Sequence, residues 1–149
     1  MPESIVIVAA RRTPIGGFQG IFSPVSATQL GSFAAAAALA DSGLSPDAID
    51  EVIFGCVLPA GLGQAPARQA AVGAGIAMSV PATTVNKMCG SGMKAVMLAA
   101  DQIRAGSARA ILAGGLESMT NAPYLMLKAR AGYRMGHAEI YDHMFYDGL

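Results

Sequence analysis

Four short stretches along the chain read as strands, with stretches of helical spacing between them. Residues 5–10 (IVIVAA), a continuous run rich in β-branched residues, read as a buried strand, 52–58 (VIFGCVL) as another apolar strand, and 82–86 (ATTVN) and 108–113 (ARAILA) as a third and a fourth. After the first run, residues 11–24 are punctuated by glycine and proline and behave as a loop. Ser26-Ala27-Thr28-Gln29 then has the spacing of a capping box, with Val25 and Leu30 placed as the matching hydrophobic staple. The helix that follows should carry Leu30, Phe33 and Ala37 on one face and stop near Gly43. Ser45-Pro46 marks a second helix start, because proline loses least where its missing N–H has no partner to miss. Residues 65–75 predict a short helix with Arg68 and Gln69, and residues 89–105 a longer one ending at Gly106. Strands alternating with helices imply an α/β fold with a largely parallel, four-stranded sheet.

The helix over residues 89–105 is apolar on nearly every side. Met93, Ala95, Val96, Met97, Leu98, Ala99, Ala100 and Ile103 surround it, while Lys94, Asp101 and Arg104 share one narrow strip. Such a helix belongs between two packed layers. One sheet covers one face, so a second layer is expected on the other. Beyond Met119 the periodicity fades. Residues 121–149 hold four tyrosines and both histidines and predict a loop-rich excursion from the core.

Composition narrows the function classes. The chain has 149 residues, 53% of them hydrophobic, enough for one domain with a real core. Ten basic and ten acidic residues cancel, and no basic stripe offers a track for nucleic acid or a membrane surface. The opening residues show no cleavage signature, and no apolar stretch is long enough to cross a bilayer. Two cysteines, Cys56 and Cys89, make no disulfide framework and lack partners for a metal site. A reducing compartment, the cytoplasm, is the expectation.

The chemistry concentrates in residues 85–94 (VNKMCGSGMK). A strand ends and a helix begins within a few residues, which puts Cys89 on the turn between them. Tight strand-to-helix turns push a nucleophile out of the sheet in other enzymes. Gly90 and Gly92 would let a bulky thioester approach the backbone. A helix start favours a thiolate over a thiol, and amides there can meet the oxyanion of a tetrahedral intermediate. Such a thiol can accept an acyl group and pass it on. On these residues alone a second reading stays open, in which Cys89 is a small buried hydrophobe. Cys56, inside an apolar strand, reads only as that.

The segment N-K-M-C-G-S-G-M-K-A-V (86–96) resembles the nucleophile motif of the thiolases, the acetyl-CoA C-acetyltransferase family. The likeness continues through ARRTPIG (10–16), VIFGCVLPAGLGQAPARQAA (52–71), AGGLESMTNAP (113–123) and residues 128–149, with Met135-Gly136 and Asp147-Gly148-Leu149. It covers the whole chain in register.

The resemblance implies that Cys89 is the acyl-accepting nucleophile. It implies a thiolase-like fold of α-β-α-β-α layers, with residues 1–118 as the N-terminal half and 119–149 opening the loop domain. It also implies condensation of two acetyl-CoA to acetoacetyl-CoA or the reverse thiolysis, with coenzyme A thioesters as substrates and no cofactor or metal. Homodimers or homotetramers are implied, residues 124–144 lying where the family's tetramerising excursion occurs, if they are not simply a flexible loop. Leu149 would line the pantetheine channel. The family's Gly-His-Pro histidine, its second cysteine and its water-positioning asparagine have no match here, so these 149 residues alone should be inactive. His137 and His143 match no catalytic histidine and read as surface or interface residues. The rivals are a β-ketoacyl synthase, which would need two downstream histidines, a non-catalytic scaffold with the same core, and a redox thiol protein, which would need a resolving cysteine near Cys89.

Overall fold

A computed structural model describes residues 4–149; residues 1–3, at the start read above for a cleavage signature, lie outside the described residues. The first helix, α1 (Ala27–Ser42), begins as its capping box predicts. Ser26 Oγ accepts the Gln29 amide and Gln29 Oε1 accepts the Ser26 amide, while Gly43 closes the helix at φ 69°. The Ser45-Pro46 start yields only one tight turn, Pro46–Ala48, before the chain enters β1 (Glu51–Gly55). Then follow α2 (Pro66–Gly73), β2 (Ala82–Val85), α3 (Ser91–Arg104) and β3 (Ile111–Gly115).

The three strands form one parallel sheet in the order β2-β1-β3, Ile53 lying opposite Thr83 on one side and Ala113 on the other. From β1 the chain steps outward to β2, and from β2 it returns across β1 to β3. Parallel crossovers keep one hand, so reversing direction moves the connecting helix to the opposite face. The packing follows suit. Val52, Phe54 and Cys56 point into a core shared with α1 and α2, while Ile53 points the other way, against Ala95 and Ala99 of α3. Ile53 is completely buried, which contributes roughly 1.5–3 kcal/mol. The result is an α/β fold with helices on both faces of the sheet.

Four expectations need correction. Residues 5–10 form no strand; they run without regular structure, with Val6, Ile7 and Val8 exposed. An apolar run suits a segment to a sheet but supplies no neighbour, and among the described residues none pairs with it. The parallel sheet therefore has three strands rather than four. The buried stripe of α1 is Ala27, Gly31, Ala35 and Leu39, not Leu30, Phe33 and Ala37. Small residues win because the helices sit close: a Cβ on Gly31 would lie 2.8 Å from Leu116, and one on Gly73 of α2 would lie 2.4 Å from Ser32. Finally, β1 ends three residues early and β3 runs on through Gly114 and Gly115. Side chains decide both limits. The Glu117 carboxylate takes the Val57 and Leu58 amides, and Asp50 takes those of Arg109 and Ala110.

One face of α3 covers the sheet, and the other, with Met93, Val96 and Met97, is open to solvent. Residues 119–149 contain a two-residue antiparallel pair, β4 (Tyr124–Leu125) with β5 (Tyr141–Asp142), a turn at Ala129–Ala131 and a wide final turn at Met144–Gly148. Among the described residues no helix is long and apolar enough to cross a membrane.

Candidate active site

The elbow between β2 and α3 is held by its own polar groups. Met88 sits at φ 48°, a left-handed conformation that costs a non-glycine residue about 1–3 kcal/mol and therefore needs support. Its amide donates to Asn86 Oδ1 at 2.9 Å. Its carbonyl accepts the Ser91 amide at 2.9 Å and the Ser91 hydroxyl at 2.6 Å. The same hydroxyl accepts the Lys87 amide at 2.8 Å, so one buried serine ties both sides of the turn. Cys89, between the strained Met88 and the helix cap Gly90, is left exposed. Gly90 offers no side-chain cap; the Ser91 amide is taken by the Met88 carbonyl, and those of Gly92 and Met93 are left without a cap at the start of α3.

Glycines bring α3 down onto the sheet. A Cβ on Gly55, at the end of β1, would lie 2.4 Å from the Ser91 backbone, and one on Gly115 would lie 3.3 Å from Gly92. The helix start therefore rests on the carboxyl ends of β1 and β3, where open α/β sheets hold their ligands. A cavity of about 280 Å³ opens there, and Gly55, Val57, Cys89, Gly92, Leu116 and Glu117 contribute to its wall. A larger depression of about 490 Å³ lies beside α1, next to Arg11, Arg12 and Phe33, and neither cysteine lines it.

Glu117 is the residue that pattern reading missed. It directly follows the buried Leu116 after β3, and both of its carboxylate oxygens are taken, by the Val57 amide at 2.8 Å and the Leu58 amide at 2.9 Å. An acid between an apolar residue and a serine at a strand end was the available signal. Cys56, 1% exposed, is the inert thiol it was read to be. Burial pushes its pKa up to about 12, and the Glu117 charge and hydrogen bond push the same way.

The histidines do not join the elbow. His137 is exposed, as expected. His143 corrects the surface reading, because it is buried and tethered at both ring nitrogens. Nε2 accepts the Ala60 amide at 3.3 Å, and Nδ1 lies 2.6 Å from Asp147 Oδ2. The imidazole thus pins the final turn to the loop after β1, a contact that no local pattern encodes. Leu149 is exposed and is not among the residues that line the Cys89 cavity.

A parallel sheet with helices on both faces and an exposed cysteine on a strand-to-helix elbow defines an α/β protein of the elbow-thiol type. The chain matches the family model of the thiolase N-terminal domain over residues 5–149. It belongs to the thiolase family. It is 55% identical over 148 residues to acetyl-CoA acetyltransferase 2 of Arabidopsis thaliana, covering 99% of this chain and 37% of that protein. With the acetyl-CoA acetyltransferase of Pseudomonas aeruginosa it shares 52% identity over 147 residues, again 99% of this chain and 37% of the relative. With that of Cupriavidus necator the identity is 51% over 145 residues, 97% of this chain and 37% of the relative. The chain therefore spans little more than a third of the length of these relatives.

Proposed function

We propose that the full-length protein carrying this chain is an acetyl-CoA C-acetyltransferase, joining two acetyl-CoA into acetoacetyl-CoA and cleaving acetoacetyl-CoA with coenzyme A in reverse. The observation that carries this reading is the exposed Cys89 thiol on the elbow, beside a cavity partly walled by glycine backbone. In the first half-reaction the Cys89 sulfur, as thiolate, adds to the thioester carbonyl carbon. Amides at the start of α3 meet the charge that develops on the oxygen. Collapse breaks the bond between that carbon and the coenzyme A sulfur, and coenzyme A leaves with the proton that Cys89 released. In the second half-reaction a second acetyl-CoA gives up an α-proton to a base elsewhere in the full-length protein, its carbanion adds to the acetyl carbonyl carbon held on Cys89, and collapse breaks the carbon–sulfur bond and returns the Cys89 thiolate.

Glu117 is the one carboxylate among the described residues of the cavity wall, and its oxygens are already occupied. The proton transfers therefore fall to groups elsewhere in the full-length protein, and residues 1–149 assayed alone should show no thiolysis. Coenzyme A thioesters enter as substrates, with no resident cofactor, and Leu149 is assigned to the path of the pantetheine arm. Residues 119–149 open a loop domain through which the protein forms homotetramers. The exposed Tyr124, Met126, Met135, Phe145 and Tyr146 support that, and light scattering of the full-length protein tests it. Two free thiols favour the cytoplasm, which cell fractionation tests.

Mass spectrometry of the full-length protein after exposure to acetyl-CoA should find acetyl on Cys89. Cys89→Ala should carry none and lose at least about a thousandfold in thiolysis rate. A wild-type protein unlabelled at Cys89, or a Cys89→Ala variant that keeps its rate, removes the proposal.

A further inference from the structure

The Glu117 carboxylate and the Cys89 elbow are joined by a continuous line of hydrogen bonds. Glu117 Oε2 accepts the Val57 amide at 2.8 Å. Glu117 Oε1 accepts the Leu58 amide at 2.9 Å, and the Val57 carbonyl of that same peptide group accepts Asn86 Nδ2 at 3.4 Å. Asn86 Oδ1 accepts the Met88 amide at 2.9 Å, and Met88 holds the left-handed φ of 48° just before the nucleophile. The line begins beyond β3, crosses the loop after β1 and ends on the elbow after β2, so it spans all three parallel strands. Each link uses a group with few alternatives. Both Glu117 oxygens are engaged, and the Asn86 amide must present nitrogen to Val57 and oxygen to Met88, which sets its orientation.

We infer that Glu117 and Asn86 are positioning residues for Cys89, acting as one unit that holds the Met88 peptide in its strained conformation and thereby fixes where the sulfur points. Neither residue takes part in bond making. Glu117 sets the Val57 peptide; Val57 orients the Asn86 amide; Asn86 clamps Met88. Neighbouring polar groups in such a network act cooperatively, and cutting it at one place relaxes the rest. The role in catalysis rests on the proposed acyl transfer at Cys89. The geometric claim stands without it.

The test reads Cys89 reactivity in the full-length protein by two probes, iodoacetamide and acetyl-CoA, resolved from Cys56 by peptide mass spectrometry. Glu117→Gln keeps the size but sets an amide nitrogen against a backbone N–H. Asn86→Asp keeps the acceptor for Met88 and loses the donor to Val57. Each should slow the alkylation of Cys89 about five- to tenfold, the scale of one lost hydrogen bond. The double variant should be no slower than the slower single, because a line already cut cannot be cut again. Cys56 should stay protected and the Tm within a few degrees of wild type, which a general loosening would not allow. Fold-changes that multiply in the double variant, or Asn86→Asp at the wild-type rate, overturn the inference. Should Glu117→Gln fail to fold, the Asn86→Asp rate alone decides by the same criterion. A wild-type protein that alkylates at Cys89 but takes no acetyl sinks the acyl-transfer reading and leaves the coupling measurement intact.

Discussion

Replacing Gly55 with alanine should do more damage to Cys89 than any other single methyl group added to the sheet. The new Cβ would lie 2.4 Å from the Ser91 carbonyl carbon, 2.5 Å from the Ser91 Cβ and 2.6 Å from the Gly92 nitrogen. These are the first residues of α3, and backbone cannot swing aside as a side-chain tip can. To reach the 3.4 Å at which ordinary contact begins, the helix start must retreat by about 1 Å. Overpacking of this kind costs about 1–3 kcal/mol, a fall in Tm of roughly 2–12 °C for a chain of this size. The larger effect is on chemistry, because Cys89 is carried on the displaced turn and a 1 Å misplacement lowers a rate by about a hundredfold. Gly114→Ala is the matched control, since the nearest atom to its Cβ is on the Phe54 ring edge, at an ordinary 3.5 Å. Pre-steady-state acetylation of Cys89 by acetyl-CoA, with thermal melts of both variants, makes the comparison. If Gly55→Ala acetylates within twofold of Gly114→Ala at equal Tm, the seating of α3 on the strand ends does not position the thiol.

Other consequences are as direct. Ser91→Ala leaves the Lys87 amide without its acceptor in a part-buried turn, so it should cost about 0.5–1.5 kcal/mol in urea melts and slow Cys89 alkylation as well. Cys56 keeps its proton in the folded state up to about pH 12, whereas the unfolded thiol releases it from its ordinary value of 9.0. The native state then binds more protons than the unfolded one, so this group's stability is fully present below 9.0 and is lost as pH rises toward 12. Wild type should lose up to about 1.4 kcal/mol per pH unit more than Cys56→Ala in that window. Parallel slopes for the two proteins would show that the thiol is not sealed.

Much of the architecture could be read from the chain because the deciding interactions are local. Ser26 and Gln29 are three residues apart, and their reciprocal bonds close without help from the rest of the molecule. The left-handed stop at Gly43, and the strand–turn–helix order that delivers Cys89 to the start of α3, are likewise settled within a few residues. The likeness of residues 86–96 to the thiolase nucleophile motif falls on that same local unit, and the match over residues 5–149 extends it to the family.

What only the tertiary structure decided are the matters in which distant groups compete for one another. Residues 5–10 have the composition of a strand, but pairing is a property of two segments, and no described neighbour supplies the second. Phe33 is apolar and exposed while Ala35 is buried, because helix α2 approaches too closely for a large side chain. His143 meets Ala60 across the fold, and Glu117 meets Val57 and Leu58 across two parallel strands. A sequence states each residue's hydrogen-bonding capacity and size. Which partner satisfies that capacity is set by chain crossings that bring remote segments within hydrogen-bond reach, and those exist only once the sheet and its two helical layers have closed.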